Sequence, residues 1–559
     1  MNNRERYSTT KKPIAKTELM QRSYEQSVNR QQRNLESTAH ADNYKYPPAT
    51  NIHQMSHYGT NPNLNKDLDS NPVNLQLIPA NTLSINLQSQ IFNLLTSQKP
   101  GTQANLAALA AGCVLTWTSP TIPKITIPGE KVQITEDEAA WIISLVPLGA
   151  TFGPFIASFI VNKLGRKWTI LADMFLFLIS WSVLAYSTRI YCLYLARFLA
   201  GIAVGIVFTV VPMYVAEISP LHLRGALGSL MQFFLSVGFL MSYIIGPGTS
   251  YLEFIAVLAA VPLFCILIFV WVPETPYHLL NKNQKQEALK SLEWLRGYPE
   301  RILMQSEITD ILAAADEARH NKGSFKILFT NKGSLKALYY ACALAFFQQM
   351  SGVNVVIFSA QSIFNSTGTG TETTTTESKD ATTNTIIIGA VMAVTAGLTA
   401  PIAKLCGIRN LLCFSAIGEA ISLGALGLFF YLKDNNQDVS AISWLPVASL
   451  VTFIIVYSVG FGPFVWVIMA EIFAAHLKSI ATAVTAAFCW FLSFLLTRYF
   501  NAFTKAFGLW AAFWMFSIFC LLALIFVVFQ LPNTEGKSYQ EIQEMITGKK
   551  KSDFSDVKV

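Results

Sequence analysis

The sequence predicts an all-α membrane protein with twelve transmembrane helices in two six-helix halves, joined by a cytoplasmic linker that contains helices. Hydrophobic residues make up 52% of the 559 residues and charged residues only 13%, about half of the share of roughly 25% in soluble domains. Apolar runs recur at regular intervals from residue 101 to residue 531, and one charged motif occurs at matching places in both halves. These observations exclude a soluble enzyme, and no catalytic residue is expected.

The net charge of +7 does not indicate a nucleic-acid partner. Nucleic-acid-binding domains concentrate Lys and Arg on one folded face, whereas the basic residues here lie between apolar runs. The eight cysteines are scattered without a CxxC pair, so we expect small buried hydrophobic residues rather than disulfides or metal ligands. The expected surroundings are therefore the lipid bilayer, with no metal or cofactor, and the sequence specifies no protein partner.

The first 100 residues differ from the rest of the chain, because they are rich in Asn, Gln, Ser and Tyr. They contain no run of about 20 apolar residues that could span a bilayer. They also lack the basic segment and apolar core of a cleavable signal peptide. This composition predicts a disordered cytoplasmic tail.

The apolar runs define the predicted organisation. The segments are the N-terminal tail at 1–100, the first half at 101–272, the cytoplasmic linker at 273–334, the second half at 335–531 and the cytoplasmic C-terminal tail at 532–559. The predicted spans are 101–121, 139–161, 168–187, 191–216, 224–246, 251–272, 335–364, 384–404, 410–432, 444–470, 479–501 and 507–531. Pro212, Pro401 and Pro463 predict kinks or breaks within three of them.

The distribution of Lys and Arg predicts that both termini are cytoplasmic, because most of the 41 basic residues then fall in cytoplasmic segments. The predicted outer segments hold only Lys124, Lys131, Arg189, Lys379, Lys433 and Lys505. The sole N-x-S/T sequon begins at Asn365, in a Thr-rich segment at 365–383 that is predicted to be an outer loop. Asn365 is therefore a candidate glycosylation site.

An internal repeat relates the two halves. Span 4 ends with Ala216-Glu217-Ile218 and then His222-Leu223-Arg224, whereas span 10 ends with Ala470-Glu471-Ile472 and then His476-Leu477-Lys478. Independent charges at the membrane edge would explain either motif alone, but the matching identities, spacing and span number favour duplication. Parallel six-helix halves are typical of secondary transporters, which hold their substrate near the midplane between the halves.

Few ionisable residues lie within the predicted spans. Asp173 in span 3 and Glu419 in span 9 are exceptions, and each lies away from the middle of its span, closer to one end. A proton-driven symporter usually needs a carboxylate at the midplane, and span 1 contains no Asp or Glu. The chain also lacks the G-x-x-x-x-G-K-[ST] loop that binds nucleotide phosphates. Downhill facilitated transport is therefore favoured over transport driven by protons or ATP.

Neutral polar side chains are the alternative candidates for a binding site. Gln348, Gln349 and Asn354 lie in span 7, and Gln232 lies in span 5. Amides both donate and accept hydrogen bonds, which suits a ligand made of hydroxyl groups. Such groups can also simply join helices, but several amides without charges favour a polar, uncharged ligand. Trp466 in span 10 could provide an apolar face for a sugar ring.

The stretch Gln348-Gln349-Met350-Ser351-Gly352-Val353-Asn354 resembles the QQxSGxN signature of the sugar porter family, within the major facilitator superfamily. Further matches are Arg197 with Gly201 and Gly205, Pro212 to Glu217, Arg224-Gly225, Pro273-Glu274-Thr275-Pro276, and Gly460 to Pro463 with Trp466. Within the family, the chain is most similar in appearance to insect facilitated trehalose and glucose transporters.

This resemblance implies a facilitative carrier for a hexose or a disaccharide such as trehalose, working by alternating access in the plasma membrane. It implies a sugar site lined by Gln232, Gln348, Gln349, Asn354 and Trp466. It also implies an inner charge network, or gate, formed by Arg166, Glu217, Arg224 and Glu274, with Glu471 and Lys478 in the second half. A proton-coupled sugar symporter and a non-transporting sugar sensor are the alternatives.

Several positions depart from the family pattern. In the gate, Lys478 stands in place of Arg, Tyr277-His278 in place of a basic residue and Asn533 in place of Glu, while the loop at 403–409 lacks an expected acid and base pair. In the site, Met392 and Cys489 replace amides, and Phe358-Ser359 replaces an aromatic pair. A weaker lock in the second half is therefore expected. Fewer hydrogen bonds in the site imply a lower affinity, an altered choice of sugar or impaired transport.

Overall fold

The computed structural model describes residues 99–125, 134–219, 224–296, 304–305, 307–309, 311–312, 325–367, 374–473, 475–532, 541–542 and 545–546. The predicted N-terminal tail lies almost entirely outside these residues, as does most of the predicted C-terminal tail.

Within the described residues, 12 helical segments are long and apolar enough to cross a membrane. In the first half, spans 1 to 6 are, in chain order, Lys99–Thr116 with Thr118–Ile125, Glu136–Leu164, Arg166–Ala185, Ile190–Ile218, Arg224–Gly248 and Tyr251–Phe269. In the second half, spans 7 to 9 are Lys332–Met350 with Val353–Asn365, Thr374–Cys406 and Ile408–Asp434. Span 10 consists of the 3-10 turn Ser440–Ile442 and the helices Leu445–Val459 and Phe461–Ile472, span 11 is Ala475–Phe507, and span 12 is Leu509–Phe529. Shorter helices at Pro276–Asn281, Lys285–Arg296 and Phe325–Thr330 lie in the linker. The predicted twelve-helix architecture is confirmed.

Span 8 differs most from its predicted limits, because its helix already begins at Thr374 within the predicted outer loop. The segment from Thr374 to Asn384 contains no Gly or Pro, so nothing stops the helix from extending past its apolar part.

Breaks divide spans 1, 7 and 10 into two helices each. In span 7, Gly352 adopts a left-handed conformation with a φ of 76°. In span 10, the break falls at Gly460, and Pro463 lies in the first turn of the next helix, where its missing N–H costs little. The helices of spans 4 and 8 run through Pro212 and Pro401 without a break.

The structure also reflects the internal repeat. Gly165, between spans 2 and 3, has a φ of 99°, and Gly407, between spans 8 and 9, has a φ of 77°. Both glycines therefore adopt the left-handed half of backbone space, which allows two long helices to join through a single residue.

Arg197 of span 4 is buried and contacts two other spans of the first half. Its guanidinium donates to the carbonyl oxygens of Val114 at 3.0 Å and Ile142 at 3.4 Å. It also lies over the ring of Trp117, 5.1 Å from the ring centroid. One buried side chain thus ties spans 1, 2 and 4 into one unit.

The two halves meet along two pairs of helices, because span 2 packs against span 11 and span 5 against span 8. We name the two ends of the bundle after the predicted orientation. The inner end is where span 1 begins and span 2 ends, and the outer end is where span 1 ends and span 2 begins.

Candidate binding site and charge networks

A cluster of uncharged polar side chains lies at the break of span 7. The Nδ2 of Asn354 donates to the Oε1 of Gln349 at 2.7 Å and to the Oγ of Ser493 at 2.8 Å. The Nε2 of Gln349 lies 3.0 Å from the Sγ of Cys489. The left-handed Gly352 interrupts the helix between the two amides and so brings them together. We call these four residues of spans 7 and 11 the amide cluster.

Ser493 is a member of the cluster that the sequence analysis did not single out, whereas Cys489 was noted only as a departure from the family pattern. Residues four apart on a helix share a face, so Cys489 and Ser493 both point from span 11 toward span 7. A pair of small polar residues in an apolar run is a weak signal in a sequence, because such residues are common inside membrane helices.

Gln348 contacts Cys489 as its neighbour Gln349 does, but it also links span 7 to span 10. Its side chain is 2% exposed, and its Nε2 donates to the carbonyl oxygens of Phe461 at 2.9 Å and Gly462 at 3.2 Å. These carbonyls belong to the turn directly after the break in span 10. Gln348 therefore joins the broken parts of spans 7 and 10 behind the amide cluster.

Gln232 and Trp466 occupy two further positions at the surfaces of the halves. The Gln232 side chain is half-buried on span 5 and has no hydrogen bond among the residues that the structure describes. The Trp466 ring on span 10 lies 5.6 Å from the ring of Phe208 on span 4. Phe208 also contacts Trp490 of span 11 at 5.2 Å. These three rings bridge the two halves on the inner side of the bundle.

The inner ends of spans 3 and 4 are held by an ion pair. The Nη2 of Arg166 lies 2.8 Å from the Oε1 of Glu217, and the Nε of Arg166 donates to the same oxygen at 3.0 Å. The Oγ1 of Thr275 donates to the other oxygen of Glu217 at 2.7 Å. Because both side chains of the pair are largely buried, the pair is screened much less than a surface salt bridge.

Glu274 caps the start of span 3. Its carboxylate accepts from the backbone N–H groups of Arg166 at 3.0 Å and Lys167 at 3.1 Å. These are unsatisfied N–H groups at the positive end of a helix, where a carboxylate is stabilised. Burial nevertheless raises the pKa of Glu274 above its ordinary value, against the opposing effect of the backbone N–H bonds.

His278 and Tyr277 complete this network, although they replace the basic residue that the family pattern places here. The Nδ1 of His278 lies 2.9 Å from the Nη1 of Arg166 and so acts as the acceptor. Burial lowers the pKa of His278 to about 4, and the charge of Arg166 acts in the same direction. The Arg166 guanidinium also lies 5.6 Å from the centroid of the Tyr277 ring. The neutral His278 imidazole therefore accepts a hydrogen bond at the position where the family pattern has a cation.

The other predicted gate residues lie at the inner ends of spans 5, 10 and 11. Arg224 is the first residue of span 5, and its side chain lies outside the described part. Glu471 and Lys478 are exposed near the end of span 10 and the start of span 11. The loop at 403–409 contributes Arg409, whose Nη2 donates to the carbonyl oxygen of Val528 at 2.7 Å.

The outer end is closed by contacts between the halves. The Oγ1 of Thr118 donates to the carbonyl oxygen of Phe358 at 3.1 Å, and the hydroxyl of Tyr243 donates to the carbonyl oxygen of Ile357 at 2.7 Å. Arg498 and Lys505 of span 11 form ion pairs with Asp137 and Glu136 of span 2. The acidic residues that begin span 2 were not identified from the sequence, because charges at helix ends are common.

The other positions noted in the sequence lie in spans 7 and 8. Phe358 is buried, while Ser359 has non-helical backbone angles that kink the outer part of span 7. Met392 of span 8 is buried as well. Asn365 is exposed and is the last residue of the helix that ends span 7.

The comparison with known families identifies the chain. A family model described as "Sugar (and other) transporter" matches residues 88–546, which is most of the sequence. The chain belongs to this sugar transporter family. The expected resemblance is thereby confirmed, and the protein is a multi-pass membrane protein of a family of carriers rather than an enzyme.

Similar proteins include insect trehalose transporters. The facilitated trehalose transporter Tret1 of Bombyx mori is 34% identical over 432 residues, which cover 77% of this chain and 83% of that protein. Tret1 of Anopheles gambiae is 33% identical over 449 residues, covering 80% of this chain. The match covers 55% of the Anopheles protein, so this chain spans only about half the length of that relative.

Solved structures establish the fold as that of the major facilitator superfamily. The proton:xylose symporter XylE bound to 6-bromo-6-deoxy-D-glucose matches with a TM-score of 0.67 and 22% identity, covering 82% of this chain and 99% of that chain. The inward open conformation of XylE from E. coli matches with a TM-score of 0.65 and 21% identity, covering 80% and 98% of the two chains.

Proposed function

We propose that this protein is a facilitative carrier that moves a hexose or a disaccharide such as trehalose across the plasma membrane by alternating access. The observation that carries the proposal is the amide cluster at the break of span 7. Its members offer donors and acceptors without a formal charge, which matches the hydroxyl groups of a sugar. The names of the insect relatives support trehalose as the first substrate to test.

In this proposal, Gln232 of the first half and Trp466 of the second half complete the sugar site. Gln232 has no described hydrogen-bond partner and faces no competing bond when a hydroxyl approaches. The ring of Trp466 presents an apolar face, and such faces pack against the C–H groups of a sugar. Gln348 and Gln349 are 2% and 5% exposed, so a sugar reaches Gln349 only when the halves separate.

The gates follow from the two sets of ion pairs. Arg166 and Glu217 hold the inner ends of spans 3 and 4, so that the first half moves as one body. The pairs from Arg498 to Asp137 and from Lys505 to Glu136 join the two halves at the outer end. These outer pairs must break before a sugar enters from outside, and the described arrangement is therefore a state closed to the outside.

The proposed orientation has both termini in the cytoplasm, with Asn365 glycosylated on the outside. It is supported by the excess of Lys and Arg in the inner segments and by the exposure of Asn365 at the outer end. Glycosidase treatment should increase the electrophoretic mobility of the wild type but not of an Asn365→Gln variant.

Uptake of radiolabelled trehalose and glucose into proteoliposomes tests the function. A facilitative carrier equilibrates the sugar in either direction, with or without a pH gradient. Accumulation above the outside concentration with acid outside would instead show proton symport, for which the buried Asp173 and Glu419 are the candidate carboxyl groups. Sugar binding without any uptake would favour the sensor.

A further inference from the structure

Glu419 is a buried carboxyl group for which the proposed transport cycle gives no role. It lies in span 9 and is 1% exposed. Among the residues that the structure describes, no Lys, Arg or His forms an ion pair with it. An unpaired carboxylate within a membrane span is costly, so this side chain is a neutral carboxylic acid.

The carboxyl group of Glu419 is connected to the break in span 10. The Oγ of Ser415 lies 2.6 Å from the Oε1 of Glu419. The same Oγ accepts from the backbone N–H of Phe461 at 3.2 Å, since a hydroxyl can donate and accept at the same time. Phe461 is the first residue of the helix after Gly460, where the missing i→i−4 bond leaves an N–H group in need of a partner.

Span 9 also touches this break sterically. A Cβ atom on Gly460 would overlap the side chain of Ser415. The turn at Gly460 therefore packs directly on Ser415, and any change in the orientation of Ser415 changes the position of the turn. On the far side, the Sγ of Cys520 in span 12 lies 3.7 Å from the Oε2 of Glu419.

The break in span 10 is also hydrogen-bonded to Gln348 of the candidate sugar site. The carbonyl oxygen of Phe461 accepts from Gln348, while its N–H group is held by Ser415. Ser351, at the break in span 7, donates to the carbonyl oxygen of Gln348 at 2.8 Å. Glu419 is thus linked through Ser415 and Phe461 to Gln348, near the break of span 7.

We propose that Glu419, as a neutral hydrogen-bonding group, is a positioning residue for sugar binding. It holds the break of span 10 in place through Ser415 and Phe461, and Phe461 in turn fixes Gln348 beside its neighbour Gln349 in the site. This proposal rests on the proposed sugar transport, but it makes a separate claim about the backbone at Phe461.

The test compares three variants with a matched control. Glu419→Gln keeps a neutral group of the same shape, Glu419→Leu removes the hydrogen bonds, and Ser415→Ala removes the link to Phe461. Ser422→Ala is the control, because the Ser422 hydroxyl is also buried in span 9 but donates to the carbonyl oxygen of Gly418 in its own helix. Surface expression is measured for every variant.

Two readouts separate positioning from general stability. The first is the KM and the maximal rate of trehalose and glucose uptake in proteoliposomes. The second is hydrogen–deuterium exchange of the peptide at 456–466, which contains the N–H of Phe461 and is followed without any sugar. If the wild type transports neither sugar, the proposed function fails, and the exchange data still decide the role of Glu419.

We expect Glu419→Gln and Ser422→Ala to retain the wild-type KM and exchange. Glu419→Leu and Ser415→Ala should raise the KM by about tenfold or more, since one lost bond strands a buried partner, and should speed exchange at 456–466. The double variant should be little worse than Glu419→Leu alone, because both act on one linked set of bonds. Wild-type exchange in Glu419→Leu, or equal damage from Glu419→Gln, would overturn the proposal.

Discussion

Arg498 on span 11 lies 2.8 Å from Asp137 at the start of span 2, so an ion pair links the two halves at the outer end. The Arg498 guanidinium also lies 4.5 Å from the centroid of the Trp141 ring, one turn further along span 2. The arginine is 17% exposed and the aspartate 69%. This contact is therefore a partly exposed ion pair that can open readily, rather than a buried one.

Removal of the negative charge of Asp137 should shift the carrier toward its outward-open state. Exposed ion pairs contribute about 0–1 kcal/mol, so Asp137→Asn should change the ratio of the two states by at most about fivefold. The change should be largest at low salt, where the pair is least screened. The measurement is the rate at which an impermeant maleimide labels Ser359→Cys, in the kinked outer part of span 7.

Asp434→Asn is the control for this experiment, because Asp434 is an exposed acid at the same end but lies within the second half. An unchanged labelling rate for Asp137→Asn at low salt would show that the pair does not hold the halves together.

The amide cluster predicts a loss of sugar affinity when its central amide is removed. Asn354→Ala leaves the Oε1 of Gln349 without its donor, and a stranded buried group costs about 1–3 kcal/mol. The KM for trehalose should rise roughly 5- to 150-fold, while surface expression persists. Ser362→Ala, in the same helix, should leave uptake unchanged, and equal KM values for the two variants would make Asn354 a structural residue only.

Gly352 should not tolerate even one added methyl group. Its φ of 76° disfavours any residue with a Cβ, and that Cβ would overlap the ring of Phe516. Gly352→Ala should therefore lose at least about 1–2 kcal/mol through the left-handed backbone alone, seen as a lower Tm in detergent and reduced uptake.

Gly397→Ala provides the comparison for Gly352. Its added Cβ would lie 3.5 Å from the side chain of Phe233, which is an ordinary contact, and the helical position should gain about 0.5–1 kcal/mol from alanine. A Tm that falls equally in both variants would contradict the special role of the break.

The contact between His278 and Arg166 predicts that acid weakens the inner network. The folded pKa of His278 is about 4, below the unfolded value of about 6.5, so the neutral imidazole contributes stability above pH 6.5. That contribution is lost as the pH falls from 6.5 to 4, because protonation places a cation against Arg166. The raised pKa of Glu274 acts in the opposite direction.

His278→Gln isolates the histidine, since glutamine offers a neutral acceptor at every pH. The difference in the free energy of unfolding between wild type and variant should change between pH 6.5 and pH 4 by an amount on the order of 1 kcal/mol, discounted for solvent screening. A pH series of Tm values for both proteins follows this change. A difference that stays constant over this range would mean that His278 does not titrate against Arg166.

The sequence by itself determined the membrane architecture. A span is set by the length and hydropathy of a local segment, so the twelve helices were predictable, and the repeat could be read from matching motifs. The family resemblance also implied that Arg166 and Glu217 belong to one charge network. The Gln348-to-Asn354 motif located the candidate site, because the motif lies within one local segment.

Only the tertiary structure decided which neutral side chains meet. A hydrogen bond between spans can join residues far apart in the sequence, as from Gln348 to Phe461, and no local pattern specifies such a pair. The structure therefore distinguished Gln348, which holds span 10 and contacts Cys489, from Gln349, which belongs to the amide cluster. The structure also showed that His278 contacts Arg166 and that Ser415 links Glu419 to Phe461. The sequence does not specify these contacts, because the burial and the partners of a side chain depend on how the helices pack.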